Sequence, residues 1–409
     1  MIRLGTLFSG IGAIEQALLR MNVEHVNVFA CDNGEIELKL LDPENQKDLE
    51  ELSKIRVKTL TELEKIRLQD LQQLEKEEQE RIFSQILSLG SKVEKKQFVD
   101  KLYKTHSKGD NLVKDTYLAN YKLNEDDFHL DVHFLDGRDY AGQVDLMVGG
   151  SPCQSFSSNG KRGGFEDTRG TLFHEYARII SEVQPKCFIF ENVRGMLIHD
   201  GGNTWSVIKK VFRELNYNIY LNKDKEGLES PLLNACDYGI PQNRERIYLV
   251  GIRADIELKE DFKFPIPIPL KVTNKDFLDD NVPAKYYLGQ KGFEFVTTHP
   301  TRAQVGRTIQ KCQKANQQFN WNGDFIFVPI EEVKDNEEIM NRAHVGVWNG
   351  QTGVIRMYTP HECLKLMGFP ESFVMPHKDN VMYRQSGNSI VVDVLIHLVN
   401  ELINTGVFD

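Results

Sequence analysis

Hydrophobic positions follow two rhythms along this chain. Short unbroken apolar runs recur at Ile2 to Phe8, Val26 to Ala30, Asp145-Leu-Met-Val-Gly-Gly150, Lys186-Cys-Phe-Ile-Phe190, Asn218 to Leu221 and Ile247 to Ile252. Such runs mark strands buried on both faces, as in parallel sheets. Between them, Ile14, Ala17, Leu18 and Met21 keep a helical period, as does Thr204 to Leu215. The alternation predicts an α/β fold with a doubly wound, mostly parallel sheet. One more strand is expected at Asp131 to Leu135.

Two stretches break the rhythm. From Ile36 to Leu130 the chain is rich in Glu, Lys, Gln and Leu, with Leu49, Leu52, Leu60, Leu63, Leu71 and Leu74 near helical spacing. This predicts a helical insertion, a long amphipathic helix returning as a second after Gly90-Ser91. Beyond Arg253, Pro265, Pro267 and Pro269 stiffen a linker. A polar, irregular segment then runs to Gly350, and Thr359 to Asn404 is helical again. The expected organisation is a catalytic domain at 1–35 and 131–254, an insertion at 36–130, a smaller domain at 255–350, and a returning segment at 351–409.

At 409 residues the chain can bury a sizeable core. No apolar stretch of membrane-spanning length stands out, and the amino terminus starts in a strand without a signal peptide's charged and apolar regions. A cytoplasmic protein is expected, with no membrane partner. Six scattered cysteines without a CxxC pair suggest reduced thiols and no metal site. Net charge is −10, yet Lys285 to Asn320 holds six basic residues against Glu294 alone. A basic island in an acidic chain fits a local phosphate-binding footprint.

The chemistry gathers at strand ends. Pro152 cannot donate to a ladder, so Ser151-Pro152-Cys153-Gln154 stops its strand and delivers Cys153 to a loop at the carboxyl edge. Ligands bind at that edge in open α/β sheets. Phe190-Glu191-Asn192-Val193 repeats the layout, and Tyr238-Gly-Ile-Pro-Gln242-Asn-Arg244-Glu-Arg246 feeds the last strand. A thiol, a carboxylate and two guanidiniums there point to nucleophilic attack on a planar, electron-poor substrate. The opening Ser9-Gly10-Ile11-Gly12 turn with Asp32 after the next strand resembles a nucleotide-binding βαβ unit. It has two glycines where the dinucleotide fingerprint has three.

The ordered set of motifs closely resembles the DNA cytosine-5 methyltransferases, especially the compact bacterial modification enzymes. The matching segments are Leu7-Phe-Ser-Gly-Ile-Gly12, Ser151-Pro-Cys-Gln154, Gly163-Gly-Phe-Glu-Asp-Thr-Arg-Gly-Thr-Leu-Phe173 and Phe190-Glu-Asn-Val193, followed by Ala235 to Arg246, Arg356-Met-Tyr-Thr-Pro-His-Glu362 and Gln385-Ser-Gly-Asn-Ser389. The resemblance implies a methyltransferase sheet that binds S-adenosylmethionine, and double-stranded DNA as partner. It assigns Cys153 to attack C6 of a flipped-out cytosine, which makes C5 nucleophilic. Glu191 would face the N3 and N4 edge, and Arg246 with Arg244 would contact O2 and phosphate. The cofactor would lie against Phe8, Ser9, Gly10, Ile11, Gly12, Asp32, Asn33, Asp136, Gly137, Pro152, Leu172, Asn388 and Ser389. The glycine-rich Ser155 to Gly170 loop would close over the base, with Ser155 and Asn159 near DNA. The segment 255–350 would be the target-recognition domain, with Arg302, Gln304 and Arg307 reaching DNA. A monomer is expected, with a restriction endonuclease as genetic partner only. A tRNA cytosine-5 methyltransferase and an inactive DNA-binding scaffold are the alternatives.

Overall fold

A computed structural model describes residues 1–55, 59–151 and 171–409. Pro152, Cys153, Ser155 and Asn159 lie outside the described residues. The main sheet grows in both directions from β1 (Ile2–Leu7). On one side β1 pairs in parallel with β2 (His25–Cys31), and β2 with the two-residue β3 (Phe128–His129). On the other side it pairs with β4 (Leu146–Gly149), and β4 with β5 (Cys187–Val193). After β6 (Tyr217–Tyr220), β7 (Leu232–Asn234) and β8 (Gln242–Asn243), the long β9 (Glu245–Arg253) runs antiparallel to β5, β6 and β7. The chain leaves β1 one way and returns to β4 the other way, so strand order reverses between them. The crevice beyond their carboxyl ends is therefore the topological switch point where α/β sheets bind ligands.

Each face of the sheet is covered. α1 (Ala13–Arg20) buries Ile14, Ala17 and Leu18 with the carboxyl-terminal helix on one face, while later helices bury Phe173, Ile180, Ile208 and Phe212 on the other. The insertion contains α2 (Pro43–Lys54), α3 (Glu62–Leu87) and α4 (Lys92–His106). The predicted return after Gly90-Ser91 is present, and Ser91 caps α4 by accepting from Glu94 N. Its leucines divide: Leu49, Leu60 and Leu71 are buried, whereas Leu63 is 80 % exposed. α5 (Leu112–Asn120) departs from the expected boundary. Its Tyr117, with Tyr121 just after it, joins the core of the main sheet, so this helix is the crossover to β3. The strand expected at 131–135 is also displaced. β3 ends at His129, and Asp131 caps a 3₁₀ turn over Val132–Phe134.

α6 (Leu172–Val183) and α7 (Asn203–Glu214) complete the main domain. The segment expected to be irregular instead carries α8 (Gln290–Thr298) and a four-stranded sheet. That sheet contains β10 (Ala303–Val305), β12 (Gly323–Pro329), β13 (Gly346–Trp348) and β14 (Gln351–Met357), in the order β10-β12-β14-β13. Between β10 and β12, β11 (Gln310–Lys311) pairs in parallel with β8, joining this region to the main one. Two short helices, α9 (Ile330–Val333) and α10 (Glu337–Arg342), follow β12. β14 lies beyond residue 350, so the small sheet draws a strand from the segment assigned to the return. Arg356 in that strand makes a buried ion pair with Glu362 at 2.8 Å, tying it to α11 (Pro360–Lys365).

α12 (Asp379–Asn388) and α13 (Val392–Asn404) close the chain. Contrary to expectation, Asp379–Asn404 has the length and apolar composition of a membrane span. It breaks between the two helices, and Val392, Leu395, Leu398, Val399 and Leu402 of α13 are buried against the main sheet. Core packing accounts for that composition.

Candidate active site

The carboxyl ends of β4 and β5 are pressed together. A Cβ at Gly150 would stand 2.2 Å from the carbonyl oxygen of Glu191, so only glycine allows this approach. Asn192 Nδ2 donates to Ser151 O at 2.7 Å and fixes the residue that follows Gly150. Glu191 is next to both. Burial pushes its carboxyl upward, and the guanidiniums of Arg246 and then Arg244 pull it partly back. Arg246, the second residue of β9 and opposite Val193, places Nε 3.3 Å from Glu191 Oε1.

The two arginines differ, and Arg244 corrects the sequence reading. Its guanidinium is buried, and it donates to Gln313 O at 2.8 Å, Gly387 O at 3.0 Å and Ser389 O at 2.8 Å. It is a brace between the small region and the end of α12, and its Nε is buried without a partner. Cys312, which the sequence reading did not single out, sits between the pair. Its sulfur accepts from Arg244 Nη1 at 3.4 Å and Arg246 Nη2 at 3.6 Å. No motif spacing flags this residue; β8–β11 pairing brings it here.

The glycine loop after β1 forms a second cleft, lined by Thr6, Phe8, Ser9, Gly10, Asn388, Ser389 and Ile390 among others. Phe8, Gly10 and Gly12 all have left-handed backbone, and a Cβ at Gly12 would meet the Tyr121 ring at 2.1 Å. Asp32 accepts from Gly10 N and Gly34 N, both at 2.8 Å, so it pins the loop that lines the cleft. Ile11 turns its side chain into the core. Asn33 caps its own turn by accepting from Glu35 N. Asn388 Nδ2 donates to Glu35 Oε1 at 3.0 Å, while Phe8 and Leu172 pack against the α6–α7 core.

Asp136 and Gly137 do not join this group as expected. The Asp136 carboxylate is buried and held by Lys95 at 2.7 Å and Arg138 at 2.7 Å, and Gly137 N donates to Glu182. The acid that follows β3 beside Asp32 is Asp131. It accepts from Tyr103 Oη and His133 Nδ1, both at 2.8 Å, and His133 holds it below the usual carboxylate range against the opposing push of burial. The misplaced strand hid it: ending β3 at His129 puts Asp131, not Asp136, two residues past a carboxyl end.

Arg302, Gln304 and Arg307 lie on and beside β10, the edge strand of the small sheet. Arg302 is exposed, with its guanidinium carbon 5.6 Å from the Phe295 ring centre. Arg307 is exposed, donates to Ile309 O at 3.0 Å and stands 3.9 Å from Asp324. Gln304 is half-buried and donates to Pro300 O. A cavity of about 560 Å³ opens between the small region and α12, walled by Lys285, Asn316, Phe319, Tyr383 and Arg384 among others.

Comparison with known proteins decides what this edge belongs to. The C-5 cytosine-specific DNA methylase family matches residues 93–404. The chain belongs to that family. This methylase is 36 % identical over 301 residues to the Type II methyltransferase M.SsoII of Shigella sonnei, covering 73 % of each chain. It is 35 % identical over 260 residues to the Type II methyltransferase M.HhaI of Haemophilus parahaemolyticus, covering 62 % of this chain and 74 % of that one. Its fold resembles Schizosaccharomyces pombe Dnmt2 methyltransferase, with a TM-score of 0.59 at 18 % identity over 98 % of both chains. The methylase is an enzyme that transfers a methyl group to C5 of cytosine in DNA.

Proposed function

We propose that this methylase modifies cytosine within a specific duplex site, using S-adenosylmethionine, as the protective half of a restriction–modification pair. Its Type II relatives support that setting. The observation that carries the mechanism is Glu191: a mostly buried acid against Arg246, beside the strand end from which the chain runs to Cys153. The target base must leave the duplex to reach such a recess. The Cys153 thiolate adds to C6, and the ring electrons move to C5. Glu191, whose burial favours the protonated form, donates to N3, and Arg246 offsets charge developing on the ring. Once C5 carries the methyl group, loss of the C5 proton expels the Cys153 thiolate and restores the double bond, and N3 returns its proton to Glu191.

The cleft after β1 fits the cofactor. Left-handed glycine backbone admits close approach, and Asp32 at the end of β2 stands where ribose hydroxyls bind in such sheets. S-adenosylmethionine supplies the electrophilic methyl group. Phe8, Ser9, Gly10, Asn388 and Ser389 would hold it, with Asp131 at the rim. Arg302 and Arg307 would contact DNA phosphate or base edges from β10. The test is a duplex with 5-fluorocytosine at the methylated position, mixed with enzyme and cofactor. A covalent adduct is expected with the wild type and none with Cys153→Ala, which should still bind DNA. Full activity of Cys153→Ala would refute the nucleophile.

A further inference from the structure

A buried acid that the mechanism does not use lies beneath the cofactor loop. Glu15 belongs to the first turn of α1 and has no exposed surface. Its Oε1 accepts from Tyr117 Oη at 2.6 Å and Thr6 Oγ1 at 3.3 Å. Thr6 Oγ1 lies 2.7 Å from Ser9 Oγ, which in turn accepts from Cys31 N at 3.0 Å. Thus a continuous relay runs from α5 through Glu15 to Ser9 and the end of β2. Thr6 and Ser9 are themselves walls of the cofactor cleft. The other oxygen of Glu15, Oε2, is buried with no partner.

We propose that Glu15 is a positioning residue for the cofactor: in its neutral form it holds Thr6 and Ser9 in the geometry that receives S-adenosylmethionine. This rests on the cofactor reading above. Ionised, Oε2 would carry charge in an apolar core with no donor, a costly state. Relief requires moving Thr6 or Tyr117, or admitting water, and a displaced Thr6 takes the hydrogen-bonded Ser9 with it. Geometry and titration agree: burial lifts the Glu15 carboxyl to about 7, against the lowering effect of Tyr117 and Thr6. The titratable groups facing it are the phenols of Tyr117 and Tyr121. Burial first, and Glu15 second, raise both far above their usual range, so they stay neutral.

The test is calorimetric titration of the DNA-free full chain with S-adenosylmethionine from pH 6 to 8.5. The wild type should bind tightest on the acid side, with Kd rising by up to about tenfold per pH unit above neutrality, the limit for one linked proton. Glu15→Gln, which imitates the neutral acid, should keep the low-pH affinity throughout. Tyr117→Phe removes a donor that favours the ionised form and should move the break to higher pH. A Glu15→Gln profile that still tracks the wild type, or a flat wild-type profile, overturns the proposal. No cofactor binding by the wild type at any pH overturns the cofactor reading with it.

Discussion

The carboxyl edge of the main sheet and the edge of the small sheet both hold charged groups, in opposite ways. At the first, placement comes from backbone: Gly150 meets Glu191 without room for a methyl group, Asn192 ties Ser151, and Arg246 lies in register with Val193. At the second, Arg302 and Arg307 are exposed side chains resting on a ring, a carbonyl and a distant carboxylate. The first arrangement suits fixed chemistry and the second suits changeable recognition. Between them stands Arg244, two residues from Arg246 yet with its Nη atoms held by carbonyls of both regions and by the Cys312 sulfur.

The comparison can be broken from the small sheet inward. Glu362→Ala strands Arg356 as a buried unpaired cation and should cost about 3–5 kcal/mol. Hydrogen exchange should show the loss in β12 and β14, with β1 and β4 still protected. If the main strands open equally, the two regions are one folding unit. Arg246→Ala should lower kcat about 10²- to 10³-fold with little change in melting temperature. Arg244→Ala should do the reverse, reducing stability and cofactor affinity before kcat. Identical phenotypes would erase the distinction between them.

Smaller effects sharpen the contrast. Burial raises Glu191, so its neutral form is the one the fold favours. That contribution is present below the ordinary carboxylate pKa and is lost as pH rises through the raised value. Chemical-denaturation curves of wild type and Glu191→Gln should therefore separate as pH rises, the variant retaining more stability. Parallel curves would mean the acid is not desolvated. Arg302→Ala should weaken DNA binding evenly across sequences and reduce the slope of log K against log salt by about 1. A selective loss for one sequence would instead make Arg302 a reader of bases.

What could be read from the sequence follows the same division. The apolar runs placed β1, β2, β4, β5, β6 and β9 closely; β1, β4, β5 and β9 are buried along most of their length and leave an unbroken signature. The Glu191–Arg246 pairing was legible because both residues flank such runs. Three features were not. Two-residue β3 is too short to leave a pattern, and its displacement concealed Asp131. The small sheet hid among Gln and Asn because its outer strands, β10 and β13, are three residues each and only partly buried. Glu15 looked like an ordinary first-turn acid, since nothing local announces that Tyr117, about a hundred residues on, will cover it.

Gly150 has one more consequence. Neighbouring strands stand about 4.8 Å apart, and with no methyl group at this site β4 and β5 keep that interval to their very tips. Loops beyond this contact can be rewritten without moving the Glu191 backbone, whereas a single added carbon at 150 would force the two strand ends apart.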